Sequence, residues 1–506
     1  MPVGQSGMVG PGGRAGGAML EQLLLEGFKP FGAEQVIPLG PLTLVYGPNS
    51  AGKSSLIQAL LLLKQSVGGS DGGAGLRPSG PWVDLGTYRS LLHRHDPART
   101  LRVGLSFRAS ESGSRPGVER GGYGFEWSFQ SDRAGGEAAA SPQLHSVRYT
   151  FEDERAALDC GFTRIREAAT GSYVPVGEHV FKWRDAASQR SFAAWLLQRG
   201  AAEAQPEDAG ASARAVSRAL RSVEVQDAPM LPTRLVLRAD AEPQDAAQAT
   251  GLIHRHGASL GMLAHALQRE LERVDHLGPL RSYPQRYTAL AGHDPRGVGR
   301  QGEHTAARLL RHPRATEDLN RWLGRLDIPY AVEVERIGTE VTGDIVVLNL
   351  RDSRTGVRVA PTDVGFGLGQ ILPVLVEGAS GSGRTLCVEQ PEIHLHPRLQ
   401  AHLADFFIET ARLPMPGAQR SRQRRERGHQ WILETHSEAL MLRLQRRVRE
   451  GRVHPDDVCV LYVHSDGPHG SAVMRLHLDD RGEFLDEWPD GFFEETFLEL
   501  FGEVAV

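Results

Sequence analysis

Apolar positions change their period along the chain, and the changes divide it. Two short strands are predicted at residues 23–28 and 35–37, separated by the turn residues Pro30 and Gly32. Leu42–Tyr46 is an apolar run with β-branched members, the pattern of a buried strand; residues 56–63 are apolar almost all round, the pattern of a buried helix. From 101 to 185 the pattern becomes short and alternating, at 101–107, 123–129, 145–151 and 173–183, with Gly, Ser and Pro between. That predicts an inserted β-rich arm. Helices follow at 193–197 and 212–223 around a low-complexity linker, 199–210, and one or two longer amphipathic helices at 246–274. No sustained heptad appears, which argues against a long coiled-coil arm. At 276–281 the character changes again as the chain returns to the first domain. A helix at 304–311 and a strand meander at 330–337, 344–350 and 356–359 follow, with Gly338, Gly343 and Gly356 between strands. Further on come an apolar helix at 371–377, strands at 385–388 and 431–433, the helix Glu438–Arg449, and strands at 458–463 and 472–478.

Between the predicted strand Leu42–Tyr46 and its helix stands Gly47-Pro48-Asn49-Ser50-Ala51-Gly52-Lys53-Ser54-Ser55, a complete G-x-x-x-x-G-K-[ST] loop. Gly47 and Gly52 free the backbone to wrap phosphate oxygens, and the amides at the helix N-terminus point at them. Lys53 is predicted to reach the β- and γ-phosphates, and Ser54 to offer its hydroxyl to Mg2+. Lys29, Lys53, Lys64 and Lys182 are the only lysines in an arginine-rich chain, so a chance match is improbable. The expected cofactors are ATP and Mg2+.

The 506 residues, 40% hydrophobic and 24% charged, suffice for two or three domains with sizeable cores. A net charge of −5 gives no overall basic field, so nucleic acid would have to meet a local patch. The run Arg420, Arg422, Arg424, Arg425 and Arg427 is the candidate, weighed against a solvated loop in an arginine-biased sequence. Cys160, Cys387 and Cys459 are too dispersed for a disulfide framework or a zinc spacing, and no run is long and apolar enough to span a bilayer. The expectation is a cytoplasmic protein without membrane contact. Residues 1–18 are Gly-rich and aperiodic, and read as a disordered leader.

Two further motifs complete the candidate site. Asp363-Val364-Gly365-Phe366-Gly367-Leu368-Gly369-Gln370 runs into the apolar helix and suits an anion at a helix start, although a plain helix-start loop is the alternative. Thr385-Leu386-Cys387-Val388-Glu389-Gln390-Pro391-Glu392 is an apolar strand ending in carboxylates, a Walker B segment. His394 and His396, two residues apart without a cysteine, are expected in loop roles rather than on zinc. The strand at 431–433 ends in Glu434-Thr435-His436-Ser437, where His436 is a candidate γ-phosphate contact. The cluster His93-Arg94-His95-Asp96 reads either as lying near the nucleotide or as a solvated loop. Asp479-Asp480 reads as a surface turn.

In this order, the loop 47–55, the signature 365–370, the block 389–397 and the switch 435–437 resemble the ATPase heads of the ABC/SMC superfamily, and more closely the OLD-type AAA ATPases. Residues 277–281, 302–303 and 487–493 resemble a subgroup from antiviral defence operons such as Septu-like systems. The resemblance implies an α/β fold, an ABC/SMC-type P-loop ATPase head with an inserted β-rich and helical arm. Its expected parts are 19–100 (head, N-terminal part), 101–275 (arm) and 276–506 (head, C-terminal part). It also implies that Glu389 takes the Walker B metal role, that His436 is the switch, and that Gly367, Leu368, Gly369 and Gln370 act across a homodimer or higher homo-oligomer enclosing two ATP molecules. Gln390 departs from the pattern, because the superfamily usually has a catalytic glutamate there; slow hydrolysis is expected, with Glu392 the nearest alternative base. About seventy residues follow the switch, too few for the Toprim nuclease that OLD nucleases carry. The expected function is therefore an ATPase controlling a separate nuclease or toxin effector. The alternative is an ATP-clamped DNA-binding protein of recombination or repair type.

Overall fold

The computed structural model describes residues 19–68, 75–109, 121–131, 142–152, 156–164, 173–175, 180–183, 223–225, 230, 235–237, 261, 263–290, 297–339, 343–379, 383–411, 413 and 428–489. The arginine run at 420–427, the leader 1–18, the helix predicted at 193–197 and all but the last residue of that predicted at 212–223 lie outside them; that last residue, Val223, opens the strand Val223–Val225.

A parallel sheet forms the heart of the molecule. Its strand order is Val274–Leu277, Thr385–Glu389, Gln430–Glu434, Leu42–Tyr46, Val458–Ser465, Ser471–Leu476, and all neighbours are parallel except the last pair. Leu42–Tyr46 and Gln430–Glu434 are buried at every position, as expected of strands covered on both faces. The P-loop helix Lys53–Val67 buries Leu56, Ile57 and Leu60–Leu63 against one face. On the other, Trp431 meets Phe406 and Phe407 of the helix Pro397–Thr410.

A second, antiparallel sheet runs beside the first. Met19–Glu26 is hydrogen-bonded between Gln35–Pro38 and Leu101–Ala109, and the sheet continues through Gly121–Ser131, Pro142–Glu152 and Ala156–Arg164. The strands that the pattern assigns to an arm therefore begin as a direct extension of the sheet that opens the chain. Gln430 ties the two sheets: its amide nitrogen donates to the carbonyls of Leu20 (2.7 Å) and Gly40 (3.0 Å), and its amide oxygen accepts from Leu20 N at 3.0 Å. The meander is a third, small sheet of Tyr330–Thr339, Gly343–Asp352 and Arg358–Val359 with Thr288–Ala289, backed by the helix Pro313–Arg325.

One element differs from the sequence reading. A helix is predicted through residue 274, yet helical residues end at 272 and Val274–Leu277 is a strand. The reason is long-range, because its backbone pairs in parallel with Thr385–Leu386-Cys387-Val388 and a buried charge chain fixes its polar residue. Asp275 pairs with Lys64 of the P-loop helix at 3.7 Å and with Arg384, and Arg384 pairs in turn with Glu377 of the helix Phe366–Ala379.

Candidate functional site

The carboxyl ends of the three central strands share one edge: Glu389 is in register with Glu434, and Glu434 with Val45. In open parallel sheets, ligands bind outside this edge. The loop after Leu42–Tyr46 leaves Pro48, Asn49 and Ser50 exposed while Gly47, Ala51, Lys53 and Ser55 are buried. Gly47 has φ +139°, and a Cβ there would lie 2.1 Å from Val463 O; Gly52 has φ +108°, with a Cβ 2.5 Å from Pro30 Cγ. Only glycine fits either position. Lys53 Nζ donates to the carbonyls of Gly47 (2.9 Å) and Pro48 (2.8 Å), bridging the mouth of the loop. Burial pulls the Lys53 ammonium below its ordinary value, and Glu434 opposes that pull.

Behind the loop lie the carboxylates. Glu389 Oε1 accepts from His276 Nε2–H at 2.7 Å, while His276 Nδ1 is buried without a hydrogen-bond partner. Gln390 has a left-handed backbone, φ 45°, a conformation that non-glycine residues hold only when surroundings enforce it. Two contacts enforce it: Gln390 N donates to Glu434 O at 2.7 Å, and Gln390 O accepts from Arg281 at 2.9 Å. Arg281 is buried and also donates to Glu389 O at 2.8 Å, gripping two successive carbonyls. Burial pushes its guanidinium down to about 10, with Glu392 and Glu389 opposing, so it stays charged at neutral pH.

Glu392 is buried, and its Oε1 accepts from His436 N at 2.8 Å, which joins the Walker B loop to the switch loop. Desolvation raises its carboxyl above the usual range. His436 is half-buried; burial, then the Lys53 charge, hold its imidazole below the ordinary value. Its neutral form therefore stands beside the phosphate-loop lysine. Glu434 has its carboxyl raised to about 6 by desolvation, with Ser54, Glu389, Lys53 and Glu392 all acting on it. Lys53, Ser54, Glu389 and Glu392 thus all act on Glu434, and Lys53 acts on His436; Gln390 joins them only through its backbone N–H to Glu434 O.

The signature residues divide. Gly365 and Phe366 are exposed at the start of the helix Phe366–Ala379, and nothing lies within 4 Å of a Cβ built on Gly365. Gly369 and Gln370 face inward: a Cβ on Gly369 would meet Pro284 Cγ at 2.5 Å, and Gln370 Oε1 accepts from Arg281 N at 3.4 Å. Gly367 packs on His394 O, and Leu368 is partly buried in the core. His394 lies edge-on to Phe366 at 4.9 Å, and His396 caps the helix Pro397–Thr410 through Nδ1, so both histidines have the expected loop roles. Among the described residues no three His, Cys, Asp or Glu converge as a metal cage. His93 sits one layer behind the loop, its Nδ1 2.9 Å from Lys29 O.

Sequence reasoning left His276, Arg281 and Glu434 without roles. The signal was there: all three belong to motifs, 276–281 and 434–437, that change the character of the chain. Their function depends on partners more than a hundred residues away. The donor set fits a hard divalent cation with a triphosphate: a serine hydroxyl on the loop and carboxylates at adjoining strand ends, with two buried oxygens, Glu434 Oε2 and Glu392 Oε2, lacking a hydrogen-bond partner.

Among curated proteins none matches the chain. Solved structures similar to it include an SMC head domain from Thermotoga maritima (12% identity, 91% of this chain and 99% of that one, TM-score 0.37). They also include an Smc head domain with a coiled coil and joint from Pyrococcus yayanosii (12% identity, 92% and 98%, TM-score 0.39). Residues 453–501 match a family described as "Protein of unknown function (DUF3696)"; their strands Val458–Ser465 and Ser471–Leu476 belong to the same central sheet as the P-loop. Residues 42–442 match the model described as "AAA domain, putative AbiEii toxin, Type IV TA system". With that match spanning most of its length, and a P-loop and its strand-end carboxylates on one sheet edge, the chain belongs to this AAA domain family.

Proposed function

We propose that the chain is an ATPase head of ABC/SMC type, closest in character to the OLD-like defence ATPases, that binds MgATP, turns it over slowly and controls a separate nuclease or toxin effector. The observation that carries the reading is the placement of the complete phosphate loop, the end of the Glu389 strand and the 434–436 strand end side by side at one edge of the parallel sheet. In it the loop amides and Lys53 bind phosphate, and Ser54 and Glu389 hold Mg2+, which supplies charge neutralisation between phosphate oxygens. The neutral His436 positions the terminal phosphate. Gln390, fixed by Arg281 and by the Glu434 carbonyl, orients water through its amide but accepts no proton. Glu392 then serves as a brace between the two loops, since its carboxylate is tied to the switch backbone.

Dimerisation around ATP is part of the proposal, with Gly365 and Phe366 as the signature positions offered to a second subunit. What supports them is their exposure, together with that of Tyr283, whose ring stacks on Phe366 at 5.9 Å, and of Leu280 and Tyr287 on the same segment. The division into head parts at 19–100 and 276–506 around an arm at 101–275 is likewise proposed. The test is calorimetry with MgATP: wild type is expected to bind, and Lys53→Ala to lose at least tenfold in affinity. Unchanged affinity in that variant would overturn the reading.

A further inference from the structure

Resting on that reading, we infer that Glu434 is a second carboxylate of the Mg2+ site, acting with Ser54 and Glu389 and completing it only when nucleotide phosphates are present. Glu434 ends the strand between the P-loop strand and the Walker B strand, so its side chain emerges between the loop's serine and Glu389. It is 6% exposed, and its Oε2 is buried without a hydrogen-bond partner. The Ser54 hydroxyl hydrogen-bonds to its carboxyl group. An uncompensated buried carboxylate is costly, and breaking even with a partner requires close contact to opposite charge. Here the nearby lysine is committed elsewhere, because Lys53 Nζ donates to two loop carbonyls.

A divalent cation resolves this arrangement. Mg2+ takes oxygen ligands, keeps several waters, and is bound by one or two carboxylates plus substrate phosphates rather than by an all-protein cage. The described residues contain no such cage, which agrees with a site that needs the nucleotide's oxygens. Whether Glu434 touches the metal or one of its waters, the consequence is the same: it raises metal affinity within the ternary complex. It does not contribute to metal-free ATP binding, where a negative charge beside the phosphates is repulsive.

The experiment uses full-length protein, a non-hydrolysable ATP analogue and Mn2+ as a paramagnetic probe, comparing wild type with Glu434→Gln. Removing this carboxylate is expected to weaken Mn2+ binding in the presence of the analogue by about 10- to 100-fold. Binding of the analogue in EDTA should stay equal or improve, and the metal-free melting temperature should not fall, since a buried unpaired oxygen is relieved. Mn2+ affinity within twofold of wild type, with the variant folded, would overturn the inference. A wild type that binds no analogue, with Mn2+ or in EDTA, would instead sink the nucleotide-binding reading beneath it. Glu434→Asp provides a second control: partial recovery of Mn2+ affinity supports a ligand role, and none, with metal-free binding intact, counts against it.

Discussion

Arg281→Lys is the substitution whose effect can be worked furthest from the geometry. The guanidinium donates through separate nitrogens to Gln390 O at 2.9 Å and Glu389 O at 2.8 Å, with a longer contact to Pro279 O at 3.2 Å. Burial lowers the pKa of the guanidinium to about 10, so it keeps its charge at neutral pH. Lysine keeps the charge but not the planar fork, so one of the two site carbonyls loses its donor. Losing one charge-assisted hydrogen bond and leaving its buried acceptor orphaned costs about 2–3 kcal/mol. With a urea slope of about 3 kcal/mol per M, the unfolding midpoint should fall by ~1 M. Because Arg281 also holds Gln390 in its left-handed conformation, MgATP turnover should fall further than MgATP affinity. Equal urea midpoints and equal turnover in variant and wild type would refute the claim that this arginine builds the Walker B loop.

Gln390→Glu should raise ATP turnover by about 10²-fold or more if residue 390 faces the attacking water, while Glu392→Gln, which keeps the oxygen that accepts from His436 N, should matter little; brisk wild-type turnover lost only in Glu392→Gln would reverse these roles. For the nucleotide sandwich, Gly365→Asp is the clean probe: it should abolish ATP-dependent dimerisation in sedimentation without changing the melting temperature. Gly369→Ala should instead unfold the chain more easily, because its Cβ meets Pro284. For His436 the folded imidazole is held low, so the unfolded chain takes up a proton first as the solution is acidified and stability falls below pH ~6.5. His436→Gln should flatten that decline in melting temperature between pH 7.5 and 5.5, and an identical slope in both proteins would contradict it.

The parts of the site that lie in one contiguous stretch could be read from the chain. The phosphate loop, the Thr385–Glu389 strand with its carboxylates and the switch at 435–437 each carry a glycine pattern or an apolar run that ends in chemistry. Val274–Leu277 could not be read so. It has four residues, two of them polar, and it is a strand only because Thr385–Glu389 lies alongside it while Lys64 and Arg384 neutralise Asp275. His276 and Arg281 follow from the same placement: alone they are a histidine and an arginine near a Gly-Pro turn, and their partners come from beyond residue 385. The signature glycines show the opposite failure. Their spacing suggests backbone offered to an anion, but tertiary packing closes Gly369 against Pro284 and leaves Gly365 open. Spacing cannot separate a glycine needed for a ligand from one needed for a neighbouring proline.

The position of the P-loop strand in the central sheet also sets when the site can exist during synthesis. Leu42–Tyr46 emerges from the ribosome early, yet both its neighbours, Gln430–Glu434 and Val458–Ser465, are made last, with Tyr46 paired to Tyr462. At about 5–20 residues per second, the roughly 400 intervening residues take ~20–80 s to appear. Throughout that interval the phosphate loop has no strand on either side to hold it. On the proposed reading, a chain that ends before Val463, whose carbonyl closes on Gly47, is expected not to retain ATP, and nucleotide capture becomes a report that translation has passed that point.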